Sequence, residues 1–341
     1  MATAGLFLLA FACSGATSPV ALTGETIFSI PWGEGWGQLT FVPEAQLSEG
    51  MYYGPSAMTV GPDGHIYVYD PARRRLHSFM PSGRFDTGAE FGPGIGNVVT
   101  IVFGVSGPGV RPPIFVADDA GYIAKLNAFR VEAGSTGYAR VLEHGLNTGA
   151  SLCRLGMVTP GKAFLAVSGV SETPYIQCFE ADRYLRRFNA TDLVALAPRY
   201  YGLALDRHGK DLYVNAEGQY VVQEIDGFEA QVSREVPLTL PQIPEKRSRW
   251  HLFGAGAQGV DAVFFFAPHW PLRANDPIYA VSEKGNIMGA AKAALPDGEE
   301  PGRYLRNWNH HAVVDFFGNL YLAVPTDNGL AIVRYQLPAA G

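Results

Sequence analysis

Short runs of apolar residues alternate with turns rich in glycine and proline along nearly the whole chain. Residues 54–85 show the unit most clearly: the runs PSAMTV, HIYVYD and RLHSFM are separated by a Gly-Pro-Asp-Gly turn and a polar loop, and PSGR follows. Such runs, short, rich in β-branched and aromatic residues and bounded by Gly and Asp, are typical of β-strands. No apolar pattern at helical period is long enough for a substantial helix. The pattern therefore predicts an all-β fold.

The same unit occurs six times along the chain, including residues 54–85. Its first turn lies near residues 63, 109, 161, 209, 259 and 318, a spacing of roughly 46 to 59 residues, which is in the range of propeller blades. The 40 Gly and 24 Pro among 341 residues exceed ordinary usage, and the excess lies between the apolar runs. We therefore predict a six-bladed β-propeller of four-stranded antiparallel blades, a closed ring without long exposed edges.

The last blade requires a strand from elsewhere in the chain. The sixth copy supplies three strands and ends near Leu337. An open ring would leave the flanks of blades one and six exposed. A fourth strand can come from the N-terminal side, from residues 26–30 or 39–42, so we expect the ring to be closed by an N-terminal strand.

Three of the copies, at residues 54–85, 199–225 and 309–324, resemble NHL-type propeller repeats. Each has a strand that ends in Asp or Gly, a turn, and then IYVYD, LYVNA or LYLAV. The resemblance covers most of the chain after residue 25 and concerns the fold. It implies a propeller of a group that includes binding modules, lactonase-like hydrolases and lyases. Because one fold hosts all of these, the resemblance does not decide the activity.

The composition excludes some classes of protein. Hydrophobic residues make up 47% of the chain and charged residues 17%, which supplies a packed core and argues against disorder. The net charge is −6 and the longest basic run is the triplet at residues 73–75, so we expect no nucleic-acid partner. We interpret the aromatic runs at 263–266 and 312–317 as packing between blades.

One apparent nucleotide-binding motif is rejected on its context. Residues 254–259 match G-x-G-x-x-G. A predicted strand follows them, so no helix N-terminus is available to bind a pyrophosphate. We expect a crowded innermost strand and turn there instead.

The N-terminus resembles an export signal. The apolar run GLFLLAFA at residues 5–12 is too short to span a bilayer and has the length of a signal-peptide core. Cys13 follows a small residue, as in bacterial lipoprotein signals, where that cysteine is lipidated. We predict a leader over residues 1–20 and a single propeller domain over 21–341, exported to the bacterial cell envelope or secreted. Membrane contact is then expected only through the lipid anchor. A cleaved secretory signal and a plain buried segment are the alternatives.

Two further cysteines, Cys153 and Cys178, lie on the first and third predicted strands of one copy. Export permits a disulfide between them. These strands are not neighbours in a meander, so the bridge requires a loop or strand end to bend inwards. Two buried free thiols are the alternative. No C-x-x-C occurs, which argues against a zinc ribbon or a thioredoxin-type site.

A ligand site is expected where the innermost strands begin. In a propeller these starts lie on one face together with the loops between second and third strands. Asp70 lies in one of these loops. Aromatic, amide and guanidinium groups there suit a polar ligand, although a polar face that simply contacts water is the alternative. The ligand-binding candidates are Tyr53, Asn97, Arg154, Tyr201, Asn215, Trp250, Trp270 and Asn309.

Histidines are concentrated in the last two blades. His251, His269 and either His310 or His311 offer three imidazoles that can bind zinc or another transition metal. A histidine pair can also act as acid and base in hydrolysis or elimination. The resemblance to lactonase-like propellers implies a calcium site, but the innermost-strand starts carry no acidic residue. The sequence requires no cofactor and leaves a divalent metal as an option.

We conclude that the sequence favours an exported binding or scaffold module of the cell envelope, with its ligand on the loop face of the ring. The expected partner is a protein, a peptide or a glycan of the envelope. The alternative is a propeller hydrolase or lyase, lactonase- or lyase-like, with a His-rich central site that is able to use a metal. A structural spacer is a third hypothesis, and it predicts an apolar patch on the outer strands.

Overall fold

The computed structural model describes the strands and many of the turns of the chain. Most of the described residues between 99 and 262 are described by their backbone alone, and none of the described residues lies in a helix. The described residues are 20–42, 54–61, 63–91, 95, 98–103, 114–119, 124–131, 138–145, 150–159, 162–169, 175–180, 183–189, 210–214, 220–226, 231–238, 251–258, 261–267, 272, 275–293, 312–315 and 317–337.

The strands form six sheets, numbered here in chain order. Two strands precede them, β1 (Val20–Ala21) and β2 (Gly24–Pro31). Sheet 1 contains β3 (Ala57–Val60), β4 (Ile66–Asp70), β5 (Arg75–Phe79) and β6 (Phe85–Glu90). Sheet 2 contains β7 (Val98–Phe103), β8 (Ile114–Asp119), β9 (Ala124–Val131) and β10 (Tyr138–Gly145). Sheet 3 contains β11 (Ala150–Thr159), β12 (Lys162–Gly169), β13 (Tyr175–Glu180) and β14 (Arg183–Asn189).

The second half of the chain continues the series. Sheet 4 contains β15 (Lys210–Val214), β16 (Tyr220–Asp226) and β17 (Gln231–Leu238). Its predicted first strand, at residues 200–206, lies outside the described residues. Sheet 5 contains β18 (His251–Gln258), β19 (Asp261–Ala267), β20 (Pro277–Ser282) and β21 (Ile287–Lys292). Sheet 6 contains β22 (Ala312–Val314), β23 (Leu320–Thr326) and β24 (Gly329–Tyr335).

The sheets are arranged around their first strands. Consecutive strands within each sheet pair antiparallel. The first strands contact one another from sheet to sheet: β18 contacts β22, β22 contacts β3, β3 contacts β7, and β7 contacts β11. Sheets that contact through their first strands and extend outwards form a β-propeller. The predicted all-β propeller of four-stranded antiparallel sheets is confirmed.

The strand directions divide the connections between two faces of the ring. In a four-stranded meander, the connection between the second and third strands lies at the end where the first strand begins and the fourth strand ends. We call this end the loop face; its described connections include residues 71–74 and 327–328. The other two connections of each sheet lie at the opposite end, which we call the turn face; its described turns lie at 61–65, 80–84, 282–286 and 315–319.

These four turns share one geometry. The first residue donates its N–H to the carbonyl of the fifth residue, and the fourth donates to the carbonyl of the first; in the turn that begins at Gly61 these distances are 2.8 and 2.9 Å. The fourth residue is always a glycine, Gly64, Gly83, Gly285 or Gly318, with φ between 78° and 83°. Because only glycine adopts this left-handed conformation at little cost, the turns explain the regular glycine spacing of the sequence.

Asp315 holds the turn of sheet 6 with its side chain. One carboxylate oxygen accepts the N–H groups of Phe317 and Asn319 at 2.8 and 2.9 Å. The other accepts hydrogen bonds from the Asn319 amide and from the Tyr321 hydroxyl, at 2.8 and 3.0 Å. Burial and the neighbouring Asp315 carboxylate raise the pKa of Tyr321, so its hydroxyl keeps the proton that it donates. The NHL-like Asp in this copy therefore has a structural role in the turn.

Residues 20–42, which we call the strap, run along the outer edges of three sheets. β1 pairs in parallel with β21 of sheet 5, and β2 pairs antiparallel with β24 of sheet 6. β2 contains the predicted segment 26–30, whereas Leu39 forms only an isolated parallel bridge with Trp32. The sequence pattern did not predict β1, which begins at Val20, the last residue of the expected leader.

Glycines allow the strap to approach the sheets closely. A Cβ atom at Gly329 would collide with the backbone of Ile30, and one at Gly88 would collide with the Trp36 ring. Strap backbone and strap side chains therefore lie directly on the backbone of β24 and β6.

Apolar side chains fill the spaces between sheets. One cluster joins the strap to sheets 5, 6 and 1 and includes Ile30, Phe265 and Leu322, each at most 1% exposed. A second cluster joins sheets 1 and 2. The interpretation of the aromatic run 263–266 as inter-sheet packing is confirmed, since these four side chains are fully buried. It is wrong for Phe317, which is 60% exposed because it lies at the tip of a turn.

Candidate ligand-binding face

Most of the predicted site residues lie outside the described part of the chain. This applies to the ligand-binding candidates Tyr53, Asn97, Tyr201, Asn215, Trp250, Trp270 and Asn309, to the metal-binding candidates His269, His310 and His311, and to the lipidation candidate Cys13. Several of them directly precede a described first strand in the sequence, Asn97 before β7 and Trp250 before β18. Their roles stay predictions.

Two candidates are placed by their backbone. His251 is the first residue of β18 and lies opposite Ala267, the last residue of β19. Arg154 lies opposite Ala166 inside β11, which begins at Ala150. At about 3.3 Å per residue, four residues displace Arg154 by roughly 13 Å from the strand start. Of these two residues, His251 alone stands at the loop-face end of its strand.

The strand register bears on the cysteine pair. Cys178 in β13 lies opposite Phe164 of β12, and Cys153 lies in β11, on the other side of β12. Two strand spacings amount to about 9.6 Å, whereas the Cα atoms of a disulfide lie at most about 6.8 Å apart. The register therefore disfavours the bridge, which stays a prediction, and favours the free thiols.

Asp70 shows how the loop face is held in sheet 1. This side chain ends β4 and is 1% exposed. One oxygen accepts the N–H of Thr40 in the strap at 2.9 Å, and the other accepts the N–H groups of Ala72 and Arg73 at 3.1 and 3.4 Å. Burial raises the pKa of the Asp70 carboxyl, although these hydrogen bonds act in the opposite direction. Asp70 therefore joins the strap to the loop and offers no free oxygen towards a ligand.

The strap adds two stacked aromatic rings to the loop face. The rings of Trp32 and Phe41 lie 5.1 Å apart at 28°, and both side chains are half-buried. The Trp32 indole donates a hydrogen bond of 2.9 Å to the carbonyl of Thr326, beside the loop-face turn at 327–328. We did not predict these residues from the sequence. The available signal was the concentration of aromatic residues in PWGEGWGQLTF at 31–41.

Two loop-face connections contain a non-glycine residue with positive φ. Arg74 has φ 52° and precedes β5; Asn275 has φ 65° and lies just before β20. Each is hydrogen-bonded to the residue that directly follows the last strand of its own sheet. The Arg74 carbonyl accepts the N–H of Phe91 at 2.7 Å, and the Asn275 N–H donates to the carbonyl of Ala293 at 3.3 Å. Such conformations persist only where surrounding bonds hold them. The rim of the loop face in sheets 1 and 5 is thus held by backbone hydrogen bonds.

The described part of the chain contains neither a metal-binding cluster nor a membrane-spanning helix. Among its side chains, no three His, Cys, Asp or Glu residues lie close enough together to hold a metal ion. Within the same residues, no helix has the length and apolar character needed to cross a membrane.

Solved structures similar to this chain are β-propellers. The calcium-binding protein regucalcin from Agrobacterium tumefaciens is 11% identical, with a TM-score of 0.50 over 94% of this chain and 96% of its own. A luciferin-regenerating enzyme is 13% identical, with a TM-score of 0.49 over 84% of this chain and 92% of its own. A streptogramin B lyase is 14% identical, with a TM-score of 0.43 over 83% and 93% of the two chains.

No protein-family model matches the chain. No curated protein matches it either. At such low identities the structural likeness concerns the fold alone, and it confirms the expected resemblance to propeller proteins. Because one fold hosts many unrelated functions, this likeness does not decide between catalysis and binding.

Proposed function

We propose that this chain is an exported propeller that binds its ligand on the loop face and serves as a binding or scaffold module of the cell envelope. The observation that carries this proposal is the common direction of the described first strands, which all begin at the loop face. Asn97 and Trp250 directly precede two of these strands, and His310 and His311 precede β22 at Ala312. Polar and aromatic candidates are therefore connected to one end of the ring.

The described residues at the rim of the loop face also support a ligand site on that face. The Trp32–Phe41 pair presents aromatic surface beside the turn at 327–328, and Asp70 and Arg74 belong to a loop held by hydrogen bonds. Aromatic faces on a pre-formed rim suit sugar rings and the side chains of peptides. A protein, peptide or glycan of the envelope is the proposed partner, and we propose export on the basis of the apolar run at 5–12 and Cys13.

Site-specific photo-crosslinking in cells tests this proposal. A photoreactive amino acid at Trp250 or Tyr201 is expected to capture an envelope component, because Trp250 directly precedes β18 and the sequence predicts Tyr201 at the start of an innermost strand. The matched control is the same substitution at Phe317, which is 60% exposed on the turn face. Adducts at 250 and 201 but not at 317 support the proposal. Adducts of equal yield at all three positions, or at 317 alone, would contradict it.

One observation favours the enzyme alternative. The pairing of His251 with Ala267 brings the start of β18 beside the end of β19, two residues before His269 in the sequence. Two histidines are therefore connected to the same end of one hairpin. With His310 or His311 they would supply the three nitrogen ligands of a metal-dependent hydrolase or lyase.

Metal content separates the two functions. Protein purified without chelator is analysed by mass spectrometry beside a His310→Ala/His311→Ala double variant. The control is His65→Ala, since His65 lies on the turn face beside Asp63. The binding module is expected to contain no stoichiometric metal. About one equivalent of metal that is lost in the double variant and kept in the control would support the enzyme instead.

A further inference from the structure

The imidazole of His77 lies buried under the strap. His77 is in β5 and is 0% exposed. Its ring lies 5.5 Å from the Trp36 ring, 6.1 Å from Phe85 and 6.3 Å from Phe79. The Nδ1 atom accepts the backbone N–H of Gly37 at 3.3 Å. Because Nδ1 accepts, the proton of the neutral ring lies on Nε2.

Among the described residues, no group near His77 would stabilise a second proton on its ring. Its Nε2 is buried and has no hydrogen-bond partner among the described residues. On its own strand, the guanidinium of Arg75 lies 4.6 Å from the Trp36 ring that covers His77.

The carboxylates on the surrounding elements are each paired with another group. On β6, Glu90 binds Arg75 and Asp86 faces His65; in the strap, Glu34 pairs with Arg73; on β2, Glu25 pairs with Arg334; and on β4, Asp70 is occupied by backbone N–H groups. A charged His77 would therefore be buried, unpaired and close to a second cation.

Protonation also removes one of the hydrogen bonds that hold the strap, the bond from Gly37. A proton on Nδ1 turns this atom from an acceptor into a donor, so it can no longer accept the Gly37 N–H. Burial and then the Arg75 charge lower the pKa of His77 from 6.5 to about 4. Because the pKa is lowered in the closed state, strap closure is fully favoured above about pH 6.5 and weakens as the pH falls towards 4.

We propose that His77 is an acid-sensitive latch: its neutral imidazole holds strap residues 32–37 over the seam between sheets 6 and 1, and its protonation releases them. The rest of the ring stays folded, since the pairing of β2 with β24 does not involve His77. Release exposes Phe85 and Gly88, the surface on which Trp36 lies.

Hydrogen–deuterium exchange tests the latch on the whole protein. After correction for the intrinsic rate, the peptide covering 31–40 is expected to lose about 100-fold in protection between pH 7.5 and 4.5, because one pKa unit corresponds to a tenfold change in the opening equilibrium. A peptide from β23 and β24 serves as the internal reference and is expected to keep its protection.

Two substitutions separate the role of His77 as a hydrogen-bond acceptor from the protonation of its ring. In His77→Asn the amide oxygen takes the place of Nδ1 and does not titrate, so the strap is expected to stay closed at both pH values. In His77→Gln the longer side chain displaces its oxygen from that position, so the strap is expected to be more open at both pH values. Because neither Asn nor Gln titrates, strap opening is expected to lose its pH dependence in each variant. An unchanged wild-type exchange ratio, equal opening of the β23–β24 peptide, or an acid response in His77→Asn would each overturn the proposal.

Discussion

Replacing Gly256 by alanine is expected to lower the free energy of unfolding by at least about 3 kcal/mol. Gly256 lies in β18, and an added Cβ atom would lie 2.6 Å from the Cα of Gly318, 2.7 Å from the carbonyl oxygen of Asp315 and 2.8 Å from the N of Gly318. These atoms belong to the backbone of the turn in sheet 6, so no side chain can rotate away. The seam between sheets 5 and 6 would have to widen, and close-packed contacts along it would be lost. Urea denaturation followed by circular dichroism measures the effect.

Gly64→Ala is the matched control for this prediction. Gly64 lies in the equivalent turn of sheet 1 with φ 78°, and an added Cβ atom would meet only Pro81, at an ordinary 3.5 Å. The substitution therefore costs only the left-handed backbone conformation, about 1 kcal/mol. If Gly256→Ala lowers the free energy of unfolding no more than Gly64→Ala does, the close contact between sheets 5 and 6 at Gly256 is contradicted.

Replacing Ile30 by aspartate is expected to lower the free energy of unfolding by more than about 4 kcal/mol, because it buries a charge without a partner. Ile30 is 1% exposed and belongs to the apolar cluster that joins the strap to sheets 5, 6 and 1. Its strand β2 is the outermost strand of sheet 6. Loss of β2 would expose the edge of β24, so the variant is also expected to be cleaved by proteases in the strap under conditions where the wild type is intact.

Ser29→Asp supplies the control at the neighbouring position. Ser29 is exposed on β2, so a carboxylate there stays in water and is expected to change the free energy of unfolding by less than about 1 kcal/mol. The same denaturation measurement and protease digestion apply to both variants. Comparable stability and comparable protease resistance of Ile30→Asp and Ser29→Asp would show that the ring does not depend on the strap.

Gly256 also shows what a sequence motif can and cannot reveal. Residues 254–259 match a dinucleotide-binding pattern, and the strand predicted to follow them is confirmed, since β19 begins at Asp261. The expectation of a crowded innermost strand is confirmed by the contacts of Gly256. The neighbour that causes the crowding, a turn some 60 residues later in the next sheet, is not visible in the motif itself.

The candidate site was less predictable than the fold. His251 stands at a strand start as expected, but Arg154 lies well inside β11, because the apolar pattern did not show that the strand begins at Ala150. Asp70 has the residue type of a ligand-binding group, yet its oxygens are occupied by backbone N–H groups of its own loop and of the strap. Whether a polar side chain faces a ligand depends on what else reaches it, and that is decided by distant segments.

By itself, the sequence determined the strands, the turns and their repetition, because each depends on residues only a few positions apart. β12 covers residues 162–169, the run KAFLAVSG, and the turns at 61–65 and 315–319 close through hydrogen bonds between residues three or four positions apart. Only the tertiary structure decided the path of the strap, the burial of His77 and the role of Asp70. The Trp32 indole bonds a carbonyl 294 positions away, and Gly37 bonds an imidazole 40 positions away. Such contacts depend on how the ring brings its ends together, which no local pattern of apolar and polar residues encodes.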